Sequence, residues 1–328
     1  MKSAIRSILI IKPSSLGDIV HTLPAVALVR EAYPSARITW VINPEWAPLL
    51  RGNKCVNHVH IFPRSQLGGL GMVVHLTPWL RQTRRLQPDV ALDFQGLLRS
   101  ALIGRASRPR EFYGMSDARE GARRFYDRVA PVDRKAHAVE RYLALTEDFG
   151  VPVERPLRFP LPSGDSVPHF DDTIPFVLLH PFARGRRKSL SDLTIEEFCR
   201  SLAPHPVVLA GLTKREMPVP DNCVNLLNHT TLLQLIWLIR RASFVVSVDS
   251  GPMHIASALS DRLISIHAWS DPRKVGPHNP AAWVWKNGEL FRVRDLPTSP
   301  PENQTNRNFK TTDVKQLLPL IRENLRPM

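Results

Sequence analysis

Residues 7–42 read SILIIKPSSLGDIVHTLPAVALVREAYPSARITWVI, and this stretch decides the fold class. Ser7 to Ile11 is a short β-branched run, and a Ser- and Gly-containing turn leads from it into apolar residues at helical spacing. The helix runs out before Tyr33-Pro34, because the residue before a proline disfavours helix. Ile38 to Ile42 then supplies a second apolar run. Strand, helix and strand at this length predict two parallel strands of a doubly wound α/β sheet.

The alternation of apolar runs with helical patterns continues in both halves of the chain. Five prolines between residues 151 and 168 interrupt it, since proline disfavours both helix and central strand. We predict two Rossmann-like domains facing across a cleft: an N-terminal domain over 1–155, a Pro-rich linker over 156–172 and a C-terminal domain over 173–328. The last helix, near Val314 to Leu325, could pack back on the N-terminal domain. The Thr194-Ile195-Glu196-Glu197 segment has the form of a capping box and predicts a helix start at Thr194.

Further strands and helices are expected at definite places. The apolar runs predict strands near 56–62, 90–94, 176–179, 207–210, 244–248 and 263–267. Helical patterns predict helices near 79–86, 97–103, 138–149, 194–202, 231–242 and 252–259. In such sheets ligands bind beyond the carboxyl ends of the strands.

Length, charge and cysteine content narrow the classes of function. The chain has 328 residues, which suits two domains of ~100–200 residues each. A net charge of +14 favours an anionic partner: nucleic acid, an anionic membrane face or an acidic substrate. Nucleic acid is disfavoured, because the basic residues are scattered and no RNA-recognition or zinc-finger signature accompanies them. Cys55, Cys199 and Cys223 stand far apart, which indicates reduced structural thiols.

The expected compartment follows from the apolar runs. The run near the N-terminus is shorter than the ~7–15 residues of a signal sequence. No stretch approaches the ~20 apolar residues of a membrane span. We therefore expect a cytoplasmic protein, with neither cofactor nor metal.

Asp18 is the first candidate for chemistry, because it lies about one turn into the helix after Ser14, Ser15 and Gly17. Ser15 and Asp18 have the spacing of a Ser-x-x-Asp helix start, in which Asp18 complements the helix dipole. An ionised carboxylate there could also take a proton from an attacking hydroxyl. The loop lacks the spacing of a P-loop and of the dinucleotide motif, which disfavours NTPase and dehydrogenase functions.

A second loop follows the apolar run Phe244 to Val248. It reads Asp249-Ser250-Gly251-Pro252-Met253-His254, and the proline marks the start of a helix. Free backbone N–H groups at that start could bind a phosphate, and Gly251 would let a pyrophosphate approach closely. The alternative is an ordinary strand-to-helix turn capped by Asp249 or Ser250, with His254 as a satisfied helix-start histidine.

Taken together, the two loops resemble the heptosyltransferases of lipopolysaccharide core synthesis, a glycosyltransferase family. Residues 12–24, KPSSLGDIVHTLP, are similar to the N-terminal signature of that family over their whole length. Asp249 to His254 is similar to its Asp-[Ser/Thr]-Gly-x-x-His segment. Between the loops, residues 93–100 and 137–141 look like segments of the enzyme that adds the first heptose to Kdo.

The resemblance implies a GT-B fold and a metal-independent, inverting transfer of L-glycero-D-manno-heptose from ADP-heptose to a Kdo residue of Kdo-lipid A. Asp18 would be the general base. The implied donor contacts are Lys188, Asp249, Ser250, Gly251, His254, Ser15 and Gly17. The enzyme would work at the cytoplasmic face of the inner membrane as a peripheral protein, without nucleic acid as a partner.

The loop before the C-terminal helices departs from the family pattern. His180-Pro181-Phe182-Ala183 and Lys188-Ser189-Leu190-Ser191 stand where hydroxyl residues and a Lys-x-Trp-Pro step are usual. The chain is also longer there by about one residue, so Arg187 competes with Lys188 for the basic donor contact.

The acceptor residues are implied more weakly. Arg119 and Arg123 match an acceptor-side segment of the family in general form, and Arg64 is placed only by its position after a predicted strand. All three could instead be surface cations. Two alternatives to the implied function remain: a family member with another donor or core acceptor, and a non-enzymatic basic binding protein in which Asp18 is only a cap.

Overall fold

The chain folds as two compact units, Met1–Pro162 and Ser163–Met328. The computed structural model describes residues 5–64, 71–217, 219–297 and 306–325. The division between the units falls inside the segment 156–172, where the sequence predicts a linker. From Val151 to Phe170 the chain forms neither helix nor strand, since its prolines lack the backbone donor that either structure needs.

In the described part of the N-terminal unit, six parallel strands form one sheet in the order β3-β2-β1-β4-β5-β6. The strands are β1 (Ser7–Ile11), β2 (Arg37–Ile42), β3 (His58–Ile61), β4 (Val90–Asp93), β5 (Glu111–Met115) and β6 (Arg128–Ala130). The helices are α1 (Leu16–Ala32), α2 (Gly71–Arg84), α3 (Leu98–Ala106) and α4 (Ala138–Asp148). Strand order runs outward in both directions from β1 and β4, so the sheet is doubly wound.

The central position of β1 explains its composition. Its residues Ile8 to Ile11 are buried, because helices cover both faces of a parallel sheet. Leu9 and Ile11 pack with Ala91 and Phe112 in a single core cluster. Ile11 is in register with Asp93 at the end of β4. The loops that follow these two strands therefore leave the same edge of the sheet side by side.

The C-terminal unit holds a sheet whose described strands number seven, in the order β13-β12-β11-β10-β7-β8-β9. They are β7 (Val177–His180), β8 (Val207–Gly211), β9 (Cys223–Leu227), β10 (Phe244–Val248), β11 (Leu263–His267), β12 (Trp283–Lys286) and β13 (Glu289–Arg292). Only the pair formed by β12 and β13 is antiparallel among these strands. The helices are α5 (Asp192–Leu202), α6 (Leu232–Arg241), α7 (Gly251–Leu259), α8 (Pro272–Val275) and α9 (Val314–Leu325).

Register also brings the functional loops of the C-terminal unit together. Ser247 of β10 pairs with His180 of β7, and Val248 pairs with Ile266 of β11. The loops after β7, β10 and β11 therefore leave one edge of the sheet as neighbours.

The last helix, α9, packs within the C-terminal unit. Its buried residues Val314, Leu317, Ile321 and Leu325 join the core cluster of that unit. The helix packs against α5 and β10. Packing of the same helix against the N-terminal domain stays a prediction.

Two local predictions need correction. The helix predicted to start at Thr194 begins at Asp192 with Ser191 as its N-cap, and the Ser191 side chain accepts a hydrogen bond from the Thr194 N–H. The sequence patterns did not predict β5, β6, β9, β12 or β13. Strands β6 and β9 lie at sheet edges and expose two residues each, so they lack the apolar run by which a buried strand is recognised.

Candidate active site

Asp18 lies in the first turn of α1, directly after the end of β1. Its Oδ2 atom accepts hydrogen bonds from the backbone N–H of Ser15, at 3.1 Å, and from the Ser15 hydroxyl, at 2.6 Å. The Ser-x-x-Asp helix start predicted from the sequence is therefore present. Asp18 is nevertheless half-buried and not enclosed, so the same carboxylate can be reached by a ligand. Gly17 is buried beside it, and Ser15 is exposed.

Two buried residues extend the surroundings of Asp18. The hydroxyl of Tyr142, from α4, donates a hydrogen bond to Asp18 Oδ1 at 3.2 Å. The ammonium of Lys12 donates to the Tyr142 hydroxyl and to the Phe94 carbonyl, each at 2.8 Å. Neither Lys12 nor Tyr142 was a predicted site residue, because a lysine at a strand end and a tyrosine on an amphipathic helix carry no distinguishing spacing.

A cavity of 170 Å³ opens beside this loop, at the carboxyl ends of the N-terminal strands. Its lining comprises Pro13, Ser14, Asn43, Phe62, Arg64, Gln95, Leu97, Arg99, Ser100 and Glu120. The predicted acceptor residue Arg64 is thus placed in a cavity together with a second cation, Arg99. Arg119 and Arg123 are exposed and lie outside this lining.

Asp93, at the end of β4, shapes the wall of the cavity. It accepts hydrogen bonds from the N–H groups of Gln95 and Gly96 and from the hydroxyls of Ser100 and Tyr126. Burial raises the pKa of Asp93, and these donors oppose the rise. Gly96 has φ +67°, and a Cβ there would lie 3.3 Å from the backbone of Ala118, so glycine suits this turn. Asp93 therefore fixes the turn that carries Gln95 and leads into α3, the helix on which Arg99 lies.

In the C-terminal unit, the structure brings Lys188 and Asp249 together. The Lys188 ammonium lies 2.5 Å from Asp249 Oδ2, and the Asp249 side chain is only 9% exposed. Burial by itself raises the pKa of Asp249, but His267, Lys188 and a hydrogen bond from Ser270 outweigh it and hold the pKa below its usual value. Asp249 is accordingly a buried, ionised carboxylate with a cation beside it.

Arg187 occupies a different position from Lys188. Its guanidinium lies over the ring of Trp269, 5.3 Å from the ring centroid. Both residues belong to one short 3-10 turn, Arg186–Lys188. The two competing basic residues thus point at different partners, and it is Lys188 that reaches the carboxylate of the loop after β10.

Ser250 is the N-cap of α7, and Gly251 is its first residue. The Ser250 hydroxyl lies 3.3 Å from His180 Nδ1. His267 lies between the hydroxyls of Ser270, at 2.9 Å, and Ser265, at 3.1 Å. Burial lowers the pKa of both His180 and His267 to about 4, so both rings are neutral at neutral pH. His254 is buried in the first turns of α7.

Residues 181–191, where the sequence differs from the usual pattern of the family that it resembles, form a turn. Phe182 and Leu190 are buried in the core of the C-terminal unit. The Ser189 hydroxyl accepts from the Ala183 N–H at 3.1 Å, and the Leu190 N–H donates to the Pro181 carbonyl at 2.9 Å. Apolar packing and the Ser189 hydroxyl therefore hold this turn, with Pro181, Phe182 and Ala183 directly after the strand histidine.

Over the residues with described positions, no group of His, Cys, Asp and Glu could hold a metal ion. Metal independence of the reaction stays a prediction. No helix within the described ranges is long and apolar enough to cross a bilayer.

Comparison with solved structures defines the fold. The chain superposes on Escherichia coli heptosyltransferase WaaC with ADP at a TM-score of 0.76, with 22% identity and coverage of 97% of this chain and 99% of that chain. The same enzyme with ADP-2-deoxy-2-fluoro heptose gives a TM-score of 0.73 at 23% identity, over 95% of this chain and 99% of that one. The fold is therefore GT-B, as expected from the sequence.

Residues 79–293 match the model of glycosyltransferase family 9, the heptosyltransferases, and the chain belongs to that family. Lipopolysaccharide core heptosyltransferase OpsX of Haemophilus influenzae is 26% identical over 291 residues, which are 84% of this chain and 82% of OpsX. Lipooligosaccharide heptosyltransferase 2 of the same organism is 25% identical over 338 residues, 88% of this chain and 91% of the relative. The chain is thus a glycosyltransferase, which excludes the non-enzymatic alternative.

Proposed function

We propose that this chain transfers L-glycero-D-manno-heptose from ADP-heptose to a Kdo residue of the lipopolysaccharide inner core, with inversion at the anomeric carbon. The observation that carries the proposal is the Asp18 carboxylate, held at the end of β1 beside a cavity that contains Arg64 and Arg99. Family membership and the names of the relatives, which are heptosyltransferases of lipopolysaccharide or lipooligosaccharide, support it.

In the proposed step, an acceptor hydroxyl attacks the anomeric carbon of the heptose from the face opposite the diphosphate. The new glycosidic C–O bond forms as the C–O bond to the diphosphate breaks, and the diphosphate leaves with the electron pair. Asp18 takes the hydroxyl proton as the general base. A carboxylate suits this role because its reference pKa of ~3.9 keeps it ionised at neutral pH.

The acceptor is proposed to occupy the cavity beside Asp18. Arg64 and Arg99 are the cations in its lining, which also includes the amide of Gln95 and the carboxylate of Glu120. Guanidinium groups bind carboxylates with two parallel hydrogen bonds, which suits the carboxylate of a Kdo sugar. Arg119 and Arg123, exposed outside the lining, are proposed to meet more distant anionic groups of the same acceptor.

The donor is proposed to bind at the loops after β7, β10 and β11. Asp249 would accept hydrogen bonds from heptose hydroxyls, and the N–H groups of Ser250 and Gly251, at the start of α7, would face the diphosphate. Lys188 and His254 complete this set, and Ser15 and Gly17 remain further proposed contacts. Negative charge that develops on the leaving diphosphate is stabilised by the helix start and by Lys188.

Membrane association is part of the proposal. Leu98 and Leu102, on one face of α3, are 37% and 50% exposed, and Arg99 lies between them beside the acceptor cavity. With a net charge of +14, these residues suit contact with an anionic leaflet. We propose that the enzyme works peripherally at the cytoplasmic face of the inner membrane. Sedimentation with phosphatidylglycerol vesicles should be strong at low salt and weak in vesicles of phosphatidylcholine alone.

The decisive experiment incubates the protein with ADP-heptose and Kdo-lipid A and follows the products by mass spectrometry. A mass increase of one heptose on Kdo-lipid A is expected. The similarity to lipooligosaccharide heptosyltransferase 2 favours one second candidate, transfer to a different core residue. A parallel incubation with heptosylated Kdo-lipid A distinguishes them: extension of that acceptor alone would replace the first proposal with the second.

A further inference from the structure

Lys12 is a buried cation that the proposed transfer does not use. The residue is 2% exposed, and its ammonium donates to the Phe94 carbonyl and the Tyr142 hydroxyl. Burial lowers the pKa of Lys12, and the nearby carboxylates of Asp18 and Asp93 oppose this. Placing an ammonium inside a protein is costly unless it is hydrogen-bonded and compensated by charge. Its position beneath a loop of the candidate site therefore calls for a functional reason.

Tyr142 connects this cation to Asp18. A phenol has one proton to donate, and its oxygen can also accept. The Lys12 ammonium donates to the phenol oxygen at 2.8 Å, so the phenol proton is directed to Asp18 Oδ1 at 3.2 Å. Burial, followed by the charge of Asp18, raises the pKa of Tyr142 well above its usual value, so the phenol keeps its proton. The direction of both hydrogen bonds follows from these facts.

We propose that Lys12 and Tyr142 are positioning residues for the Asp18 carboxylate: Lys12 orients the phenol of Tyr142, and the phenol orients the carboxylate. We call these two linked hydrogen bonds the relay. The proposal rests on the proposed role of Asp18 as the base. Ser15 holds one carboxylate oxygen and Tyr142 holds the other, which fixes the plane of the carboxylate. The ammonium polarises the phenol and strengthens its hydrogen bond. A carboxylate held in this way meets the acceptor hydroxyl in one orientation.

The test compares Tyr142→Phe with the wild type and with a matched control, Tyr113→Phe. Tyr113 also donates to a carboxylate, Glu111 Oε2, at 2.8 Å, and neither residue lines the cavity. Heptose transfer is measured with saturating substrates from about pH 3.5 to 9, a range that includes the reference pKa of ~3.9 of an aspartate, together with the donor KM. For Tyr142→Phe we expect kcat to fall about tenfold, the effect of losing one hydrogen bond to a charged group. The acidic limb of the pH–rate profile should move up by about one pH unit, because the ionised carboxylate has lost a donor.

The donor KM should stay within about twofold, since the main proposed donor contacts, Asp249 and Lys188, belong to the C-terminal unit. Tyr113→Phe should keep the wild-type pH profile even if it melts at a lower temperature. A Tyr142→Phe profile that overlays the wild type would overturn the relay and leave the tyrosine a packing role. In that case an inactive Asp18→Asn protein would show that the base assignment itself survives. Near-normal transfer by Asp18→Asn would instead overturn the base and the relay together.

Lys12→Met tests the other half of the relay. If Lys12 acts through Tyr142, the double variant should be no slower than the slower single variant. Multiplying effects would show that Lys12 acts independently and would remove it from the relay. Should Lys12→Met fail to fold, the pH profile of Tyr142→Phe still decides the proposal.

Discussion

The loop after β1 and the loop after β10 have the same strand-to-helix architecture, but the aspartates that they carry have different partners. Each places an aspartate where a central parallel strand passes into a helix. Asp249 has the Lys188 ammonium directly against it, whereas the two hydrogen bonds of the Lys12 ammonium go to a carbonyl and to the phenol that bonds Asp18. The ion pair with Lys188 makes Asp249 a weaker proton acceptor, which suits a group that binds hydroxyls. The phenol of Tyr142 orients the carboxylate of Asp18, which suits the proposed base.

The substitution with the largest expected effect is Asp18→Asn, which tests whether Asp18 is the base. Asparagine keeps the size and an oxygen for the helix start, so the protein should stay folded and bind ADP-heptose. Transfer should slow by at least ~100-fold, the low end for lost base catalysis. Rapid-quench measurement of transfer, with the melting temperature as the folding control, gives the result. Turnover near that of the wild type would make Asp18 a cap only.

Asp249→Ala should act on the donor alone. The change removes an acceptor for heptose hydroxyls and leaves Lys188 without its carboxylate, so kcat/KM for ADP-heptose should fall about 30-fold, within the range for hydrogen bonds to charged groups. The KM for Kdo-lipid A should change by less than about twofold, because the acceptor cavity lies in the other unit. Steady-state kinetics with each substrate varied in turn would show this, and an unchanged donor kcat/KM would remove Asp249 from the site.

Lys188 and Arg187 should differ in their effect on kcat/KM for ADP-heptose in the same assay. Lys188→Ala should lower kcat/KM for ADP-heptose about tenfold, since its ammonium lies at Asp249 and faces the proposed diphosphate site. Arg187→Ala is the matched control and should cost less than about threefold, because an exposed cation–π contact is worth only ~0.5–1 kcal/mol. A larger loss for Arg187 would reverse the assignment.

Acid should destabilise the C-terminal unit through its two buried histidines. The pKa values of His180 and His267 are lowered from 6.5 to about 4 in the folded protein. Between those values the unfolded chain binds protons that the folded chain does not, so the free energy of unfolding should fall as pH drops from 6.5 towards 4. The loss is on the order of 3 kcal/mol for each histidine. Urea unfolding of the wild type and of His267→Gln should show a shallower pH dependence in the variant.

The smallest expected effect is that of a chelator. The proposed stabilisation of the leaving diphosphate uses the start of α7 and Lys188, so transfer should be unchanged in EDTA. Activity is measured after dialysis against EDTA and again after adding Mg²⁺ or Mn²⁺. A strict requirement for added metal would refute this prediction. It would mean that a bound ion stabilises the leaving diphosphate.

The sequence predicted most of the buried strands, but it did not predict which side chains contact one another. Apolar runs such as Val207 to Ala210 and Phe244 to Val248 lie in observed strands because both faces of a parallel strand are buried. Edge strands such as β6, with its exposed Arg128 and Val129, lack that signal. Asp18 and Asp249 are predicted site residues because motif spacing and the family resemblance both mark them.

The sequence does not mark Tyr142 or Arg99, because their proposed roles depend on neighbours far along the chain. Tyr142 lies 124 residues beyond Asp18. The same holds for the division of labour between Arg187 and Lys188, which only the position of Trp269 reveals. Spacing along a sequence records local geometry, whereas these contacts follow from tertiary packing.

The packing of α9 has a consequence for the order in which the protein matures during synthesis. Strands β7 to β11 are complete by residue 267, yet the core that they share with Val314, Leu317 and Ile321 closes only when the helix at 314–325 has been made. The N-terminal unit, complete by Pro162, can fold while translation continues. A chain interrupted before Val314 would expose to chaperones and proteases the part of the apolar core that α9 covers.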